Sequence, residues 1–257
     1  MASVSIVLPT RNRPRELAEA LERVAAQTHL ELELVLLRDG GSPLEARPTE
    51  ILGKLEFPAH VLEHEDPPHG LAASRNRGVD AARGDAVAFL DDDDLWEPGH
   101  VAKLALALDR DPALDVVYSD ASVLEEASGL RRSLAHEFDP EVFGRDSFIP
   151  PSAIAVRRGA FERFGLFDTE IPYSEDWDWL MRVAVGGGRI ARVRGASVTI
   201  RIHSGGMSGL SGDPERLRLR RESLDLISSR YGLAPIQPKT FWEVARDLCP
   251  QPNDSTR

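Results

Sequence analysis

The chain has 257 residues, a formal net charge of -11, 42% hydrophobic and 28% charged residues. That length and usage match one α/β domain with a sizeable core. The acidic balance argues against a nucleic-acid partner, because phosphate binding needs a basic face, and the single cysteine, Cys249, excludes an internal disulfide and fits a reducing compartment.

The first apolar run, VSIVL (4–8), reaches five residues before Pro9 and Thr10. It is too short for a signal-peptide core, and no later run approaches a membrane span, so a soluble, cytoplasmic protein is expected. Residues 14–27 open with Pro14 and set Leu17, Leu21 and Val24 on one helical face. LELVLL (32–37) and AVAFL (86–90) read as further buried strands, with AHVLE (59–63) a weaker one. Helical stripes cover 70–83 and 98–109, the second starting at Pro98. Strands alternating with helices predict a doubly wound, mostly parallel sheet whose ligand crevice lies beyond the strands' carboxyl ends. The loops PTRNR (9–13), RDGGS (38–42) and DDDD (91–94) are expected to meet at that edge.

After about residue 111 the alternation breaks down. DVVYSDASVLEE (115–126), SAIAVRR (152–158) and SVTIRIH (197–203) read as strands, with helices near 158–164, 176–186 and 213–231. Residues 232–257, with four prolines, read as a tail carrying one short helix at 239–248.

FLDDDDLW (89–96) sets four aspartates directly after a buried strand. If the strand's extended geometry continues, Asp91 and Asp93 share one side and Asp92 and Asp94 the other. Converging carboxylates suit a hard divalent cation that keeps open positions for phosphate oxygens. The competing reading, acids leading into the helix at Pro98, accounts for one or two aspartates but not four. A calcium loop fails, because its turn glycine falls on Trp96 and its final glutamate on Ala102. HEDPPH (64–69) fails as a zinc helix on spacing and on its two prolines.

In order and spacing, VSIVLPTRNRPRELAEAL, QTHLELELVLLRDGGS, GLAASRNRGVDAARGDAVAFLDDDDLWEPGHV, GLFDTEIPYSEDWDWLMRVAVGG and IRIHSGGMS form one pattern. It resembles the inverting glycosyltransferase family 2 of the GT-A fold, over roughly residues 3 to 208. The resemblance implies a GT-A fold, Rossmann-like with a mixed acceptor-binding half. It implies residues 1–110 as a nucleotide-sugar half, 111–231 as an acceptor half, and 232–257 as a tail. The implied activity is transfer of a hexosyl group from a nucleoside-diphosphate sugar to a sugar or glycolipid hydroxyl, with manganese or magnesium as cofactor. Pro9, Thr10, Arg11, Arg13 and Asp39 would hold the nucleotide, with Arg38 standing where a first acid is common. Arg75 would contact the diphosphate or ribose, Asp91 and Asp92 the donor, and Asp93 with His203 the metal. Asp94 would assist the metal site or cap the next helix. Asp176 would be the general base, while Ser174, Glu175 and Asp178 read equally well as a helix start. Trp177 and Trp179 are expected in the core, and the Gly/Ser-rich stretch after His203 on a closing lid.

Two other readings stay open. A sugar-nucleotide pyrophosphorylase would share sheet and metal but wants a glycine-rich loop that LPTRNRP lacks. A non-catalytic nucleotide-sugar-binding protein would keep the first half and not need Asp176. A dinucleotide-binding reading is poor, since no G-x-G-x-x-G follows a strand.

Overall fold

A computed structural model describes residues 1–203 and 213–251. The first half alternates as expected: β1 (Val4–Thr10), α1 (Pro14–Ala25), β2 (Leu32–Asp39), α2 (Ala46–Leu52), β3 (Ala59–His64), α3 (Leu71–Ala81) and β4 (Ala86–Phe89). These strands pair in parallel in the order β3-β2-β1-β4. Position in the sheet explains their composition. The central β1 is buried throughout, whereas the outer β3 alternates exposed and half-buried residues. Helix α3 lies unusually close to the sheet. A Cβ on Gly78 would meet the Val7 side chain at 2.4 Å, so glycine is what allows α3 to carry Arg75 inward.

The second half contains β5 (Leu95–Trp96), α4 (His100–Arg110), β6 (Val116–Glu125), β7 (Leu130–Leu134), α5 (Pro140–Phe143) and a 3-10 turn at Pro151–Ala153. It continues through β8 (Ile154–Arg157), α6 (Gly159–Phe164), α7 (Glu175–Val185), β9 (Ile190–Ile202), α8 (Pro214–Tyr231) and α9 (Phe241–Leu248). β8 joins β4 antiparallel, β6 runs antiparallel to β8 and parallel to β9, and β5 closes on β9. The result is one nine-stranded mixed sheet, with β7 paired outside the main path to β6. β9 starts seven residues before the expected 197. Its register on β6 shifts at Asp120, whose carboxylate accepts from the Gly195 N–H at 2.7 Å and pairs with Arg192. The bulge conceals the strand's first half from a simple two-residue pattern.

Two anchors fix the helices beside the sheet. Asp178, fully buried on α7, pairs with Arg182 and with Arg230 of α8, both at 2.7 Å, and accepts from the Tyr231 hydroxyl at 3.0 Å. Trp179 is buried and donates to the Gly165 carbonyl at 2.7 Å. The stretch after residue 231, read as a tail, packs back onto the sheet. α9 begins with a capping box between Thr240 and Glu243, buries Val244 and Ala245, and sets Trp242 beneath Arg132.

Candidate active site

A cleft of about 540 Å³ opens at the carboxyl edge of β1, β2 and β4. Pro9, Thr10, Arg11 and Arg13 line it from the end of β1, and Asp39 from the end of β2. Arg75, the run Asp91 to Asp94, and Asp176 complete that wall. His203 is brought to the same place by its contact with Asp93. The Gly/Ser-rich lid expected after His203 lies outside the described residues.

The aspartates do not continue the strand. β4 ends at Phe89, and the Asp94 N–H donates to the Asp91 carbonyl at 3.1 Å, closing a turn. The expected two-sided alternation is therefore replaced by four separate environments. Asp91 pairs with Arg75 at 2.6 Å. Asp92 accepts from the Thr10 hydroxyl at 2.7 Å and from Arg13 at 3.1 Å. Asp93 pairs with the same Arg13 nitrogen at 2.7 Å and lies 3.0 Å from His203 Nε2. Asp94 turns inward, accepting from the Arg201 backbone N–H at 3.1 Å, and does not cap α4. Burial and the neighbouring Asp93 charge push Asp92 up to about 7, and burial pushes Asp94 well above the carboxylate range. Against that burial, hydrogen bonding from His203 and the charge of Arg13 hold Asp93 below the ordinary range. Asp93 is thus kept ionised.

Arg75 is buried and bridges Asp91 to Glu175. It is a clamp between two carboxylates rather than a free phosphate fork. Three acids, Glu175, Asp176 and Asp91, surround this one guanidinium, which they hold charged. Burial pushes Glu175 up to about 7 and raises Asp176 as well, with Arg75 opposing both shifts. Asp176 differs from Glu175 in being half-exposed in the cleft and making no ion pair among the described residues. Ser174 does not cap α7. It sits in the left-handed region at φ 62°, and its side chain makes no capping bond.

At the end of β2, Asp39 accepts from the His69 and Gly70 backbone N–H groups, each at 2.9 Å. It therefore organises the loop entering α3 while lining the cleft. Arg38 faces away, pairing with Glu63 at 2.7 Å and donating to the Gly41 carbonyl at 2.9 Å. Trp177 is buried, as expected of a core residue, yet also lines the cleft.

Sequence reasoning missed Arg201 and most of the far wall. Arg201 donates through Nε to the Asp93 carbonyl, pairs through Nη1 with Glu19 at 2.6 Å, and so braces the aspartate turn from β9. Ser152, after the Pro150-Pro151 pair, accepts from the Asp91 N–H at 3.0 Å. Arg145, Tyr173, Arg220, Lys239 and Phe241 also line the cleft. No local pattern marks Arg220, which is one of several arginines on α8.

A mixed α/β sheet with an acidic turn and a second acid lining one carboxyl-edge cleft is the arrangement expected of the GT-A fold. The family model for glycosyl transferase family 2 matches residues 5–167. The uncharacterized glycosyltransferase YwdF of Bacillus subtilis (strain 168) is 33% identical over 93% of this chain and 87% of its own. A PGL/p-HBAD biosynthesis glycosyltransferase of Mycobacterium bovis (strain BCG / Pasteur 1173P2) is 31% identical over 83% of this chain and 82% of its own. In fold, the chain is similar to S. aureus TarS 1-349 in complex with UDP-GlcNAc, with TM-score 0.67 and 18% identity over 88% of this chain and 73% of that one. It spans 44% of a longer TarS chain. The chain belongs to glycosyltransferase family 2, which selects a transferase over the other two readings. No helix among the described residues is long and apolar enough to cross a membrane.

Proposed function

We propose that this glycosyltransferase moves a sugar from a nucleoside-diphosphate sugar to a sugar or glycolipid hydroxyl in one inverting displacement, with manganese or magnesium as cofactor. The observation that carries this reading is Asp176, a carboxylate with no ion pair among the described residues, lining the same cleft as the aspartate turn. A general base needs a free lone pair within reach of substrate. Glu175 beside it is occupied by Arg75.

The donor's nucleotide would lie against Pro9, Thr10, Arg11, Arg13 and Asp39, with Asp91 and Asp92 toward its ribose. Family membership supports this donor class, as does the UDP-GlcNAc held by the TarS neighbour. Asp93 and His203 fit a hard divalent cation, offering a carboxylate oxygen and an imidazole nitrogen 3.0 Å apart. The described residues contain no cluster of three or more such ligands, so the diphosphate and water would supply the rest. Arg13 now occupies Asp93 and would turn to the diphosphate. When bound, the cation would supply Lewis-acid stabilisation of the leaving group.

In the reaction, Asp176 accepts the proton of the acceptor hydroxyl. That oxygen bonds to the anomeric carbon while the carbon–diphosphate bond breaks on the opposite face. Arg11 and Arg13, which line the cleft, would meet the negative charge that grows on the leaving diphosphate. Incubating the protein with uridine, thymidine and guanosine diphosphate sugars and manganese tests the reading. The expected result is transfer with inverted anomeric configuration, lost on chelation, and a manganese-induced rise in Tm absent from Asp93→Asn. Full activity after exhaustive chelation removes the metal, and retained configuration removes the single displacement.

A further inference from the structure

One wall of the cleft is assembled from three separate segments. Lys239 Nζ pairs with Asp146 at 2.7 Å and with Asp247 at 2.9 Å. The Lys239 carbonyl accepts from Arg220 Nη2 of α8 at 2.5 Å. These contacts draw the loop after α5, the strap before α9, and α8 to one patch at the end of the cleft. They also settle the local charges. Lys239 and Arg246, which also pairs with Asp247 at 3.0 Å, balance the two carboxylates, and Asp146 is engaged by Lys239 rather than by its neighbour Arg145. Arg145 is exposed, lines the cleft, and makes no ion pair among the described residues. The Ser147 hydroxyl, also on the cleft wall, is buried without a hydrogen-bond partner among the described residues.

We infer that the loop Arg145–Ser147 and Arg220 form a subsite for an anionic group, a carboxylate or a phosphate, carried by the acceptor. Guanidinium forks match both anions, and a buried hydroxyl without a partner supplies a further donor. A chain of net charge -11 repels anions at long range, so recognition must come from such a local pair of cations. Arg220 lines the same cleft as Asp176, the proposed base. The inference rests on the assignment of Asp176 to the acceptor end.

Calorimetric titration with D-glucose, D-glucuronate and D-glucose 6-phosphate, in separate runs with and without UDP, tests it. At least one anionic sugar is expected to bind about tenfold tighter than glucose, since a charged hydrogen bond contributes on that scale. The tighter of the two tells whether carboxylate or phosphate is the group read. Arg145→Gln and Arg220→Gln should each remove most of that preference while leaving glucose and UDP affinity within about twofold. Arg145 is exposed, so its variant keeps the test valid should Arg220→Gln fail to fold. Equal binding of all three sugars, or equal loss for all three in Arg145→Gln, overturns the subsite. UDP affinity reports separately on the donor assignment: anionic sugars binding through Arg145 without any UDP binding would end that assignment and leave the subsite standing.

Discussion

Asp176 must be deprotonated to accept a proton, and burial opposes that more strongly than any neighbour assists it. Arg75 pulls its pKa down, Asp91 pushes it up again, and the net shift is upward. Because the active form is the carboxylate, kcat should fall as pH drops through this raised value. The acid limb is therefore expected above the ordinary aspartate range of about 3.9. A kcat profile that stays flat down to about pH 4 would deny Asp176 the role. Arg201 is the second test at this scale. Its contacts with the Asp93 carbonyl and Glu19 make it a positioning residue for the aspartate turn. Arg201→Gln should shrink the manganese-induced Tm rise with little change in nucleotide affinity. An unchanged rise would reduce Arg201 to a structural strut. The acids were legible as types in a pattern. Their partners were not, because Arg13, Arg201 and Thr10 reach them across 80 residues or more of chain.

Among the elements, those with continuous apolar runs were readable and those without were not. β1, β2 and β4 lie inside the sheet and carry the Val, Ile and Leu stretches that burial on both faces demands. β7, LRRSL, is exposed along most of its length, and β5 has two residues, so neither leaves a pattern. α2, ARPTEIL, spans two turns with a proline inside and buries only Pro48. α7 was legible through its acidic first turn, yet the acids do different work. Glu175 clamps Arg75, Asp176 faces the cleft, and Asp178 ties α7 to α8. Asp178→Asn breaks a fully buried partner of two arginines, and removing one member of such a pair typically costs about 3–5 kcal/mol. Denaturant unfolding should show that loss, with nucleotide affinity preserved below the transition. A loss under about 1 kcal/mol would mean the pairs are worth no more than surface ones.

Across the whole molecule, the cleft joins two kinds of sheet. The parallel half was legible because helix–strand alternation with right-handed crossovers leaves few topologies. The mixed half depends on pairings such as β8 between β4 and β6, set by long-range register that no local signal records. The short helix expected at 239–248 is present as α9, but its packing was not legible, because the prolines around it suggest a tail and only the fold shows Val244 and Ala245 buried. Cleft-lining residues come from both halves, and the proposed reading gives the donor to the first half and the acceptor, with Asp176, to the second. A change there should separate chemistry from donor binding. The deciding measurement is the transfer rate of Asp176→Asn at saturating donor, alongside its nucleoside-diphosphate affinity. The rate is expected to fall about 10²–10⁴-fold while that affinity holds. Transfer by a folded Asp176→Asn at near wild-type rate would contradict the account.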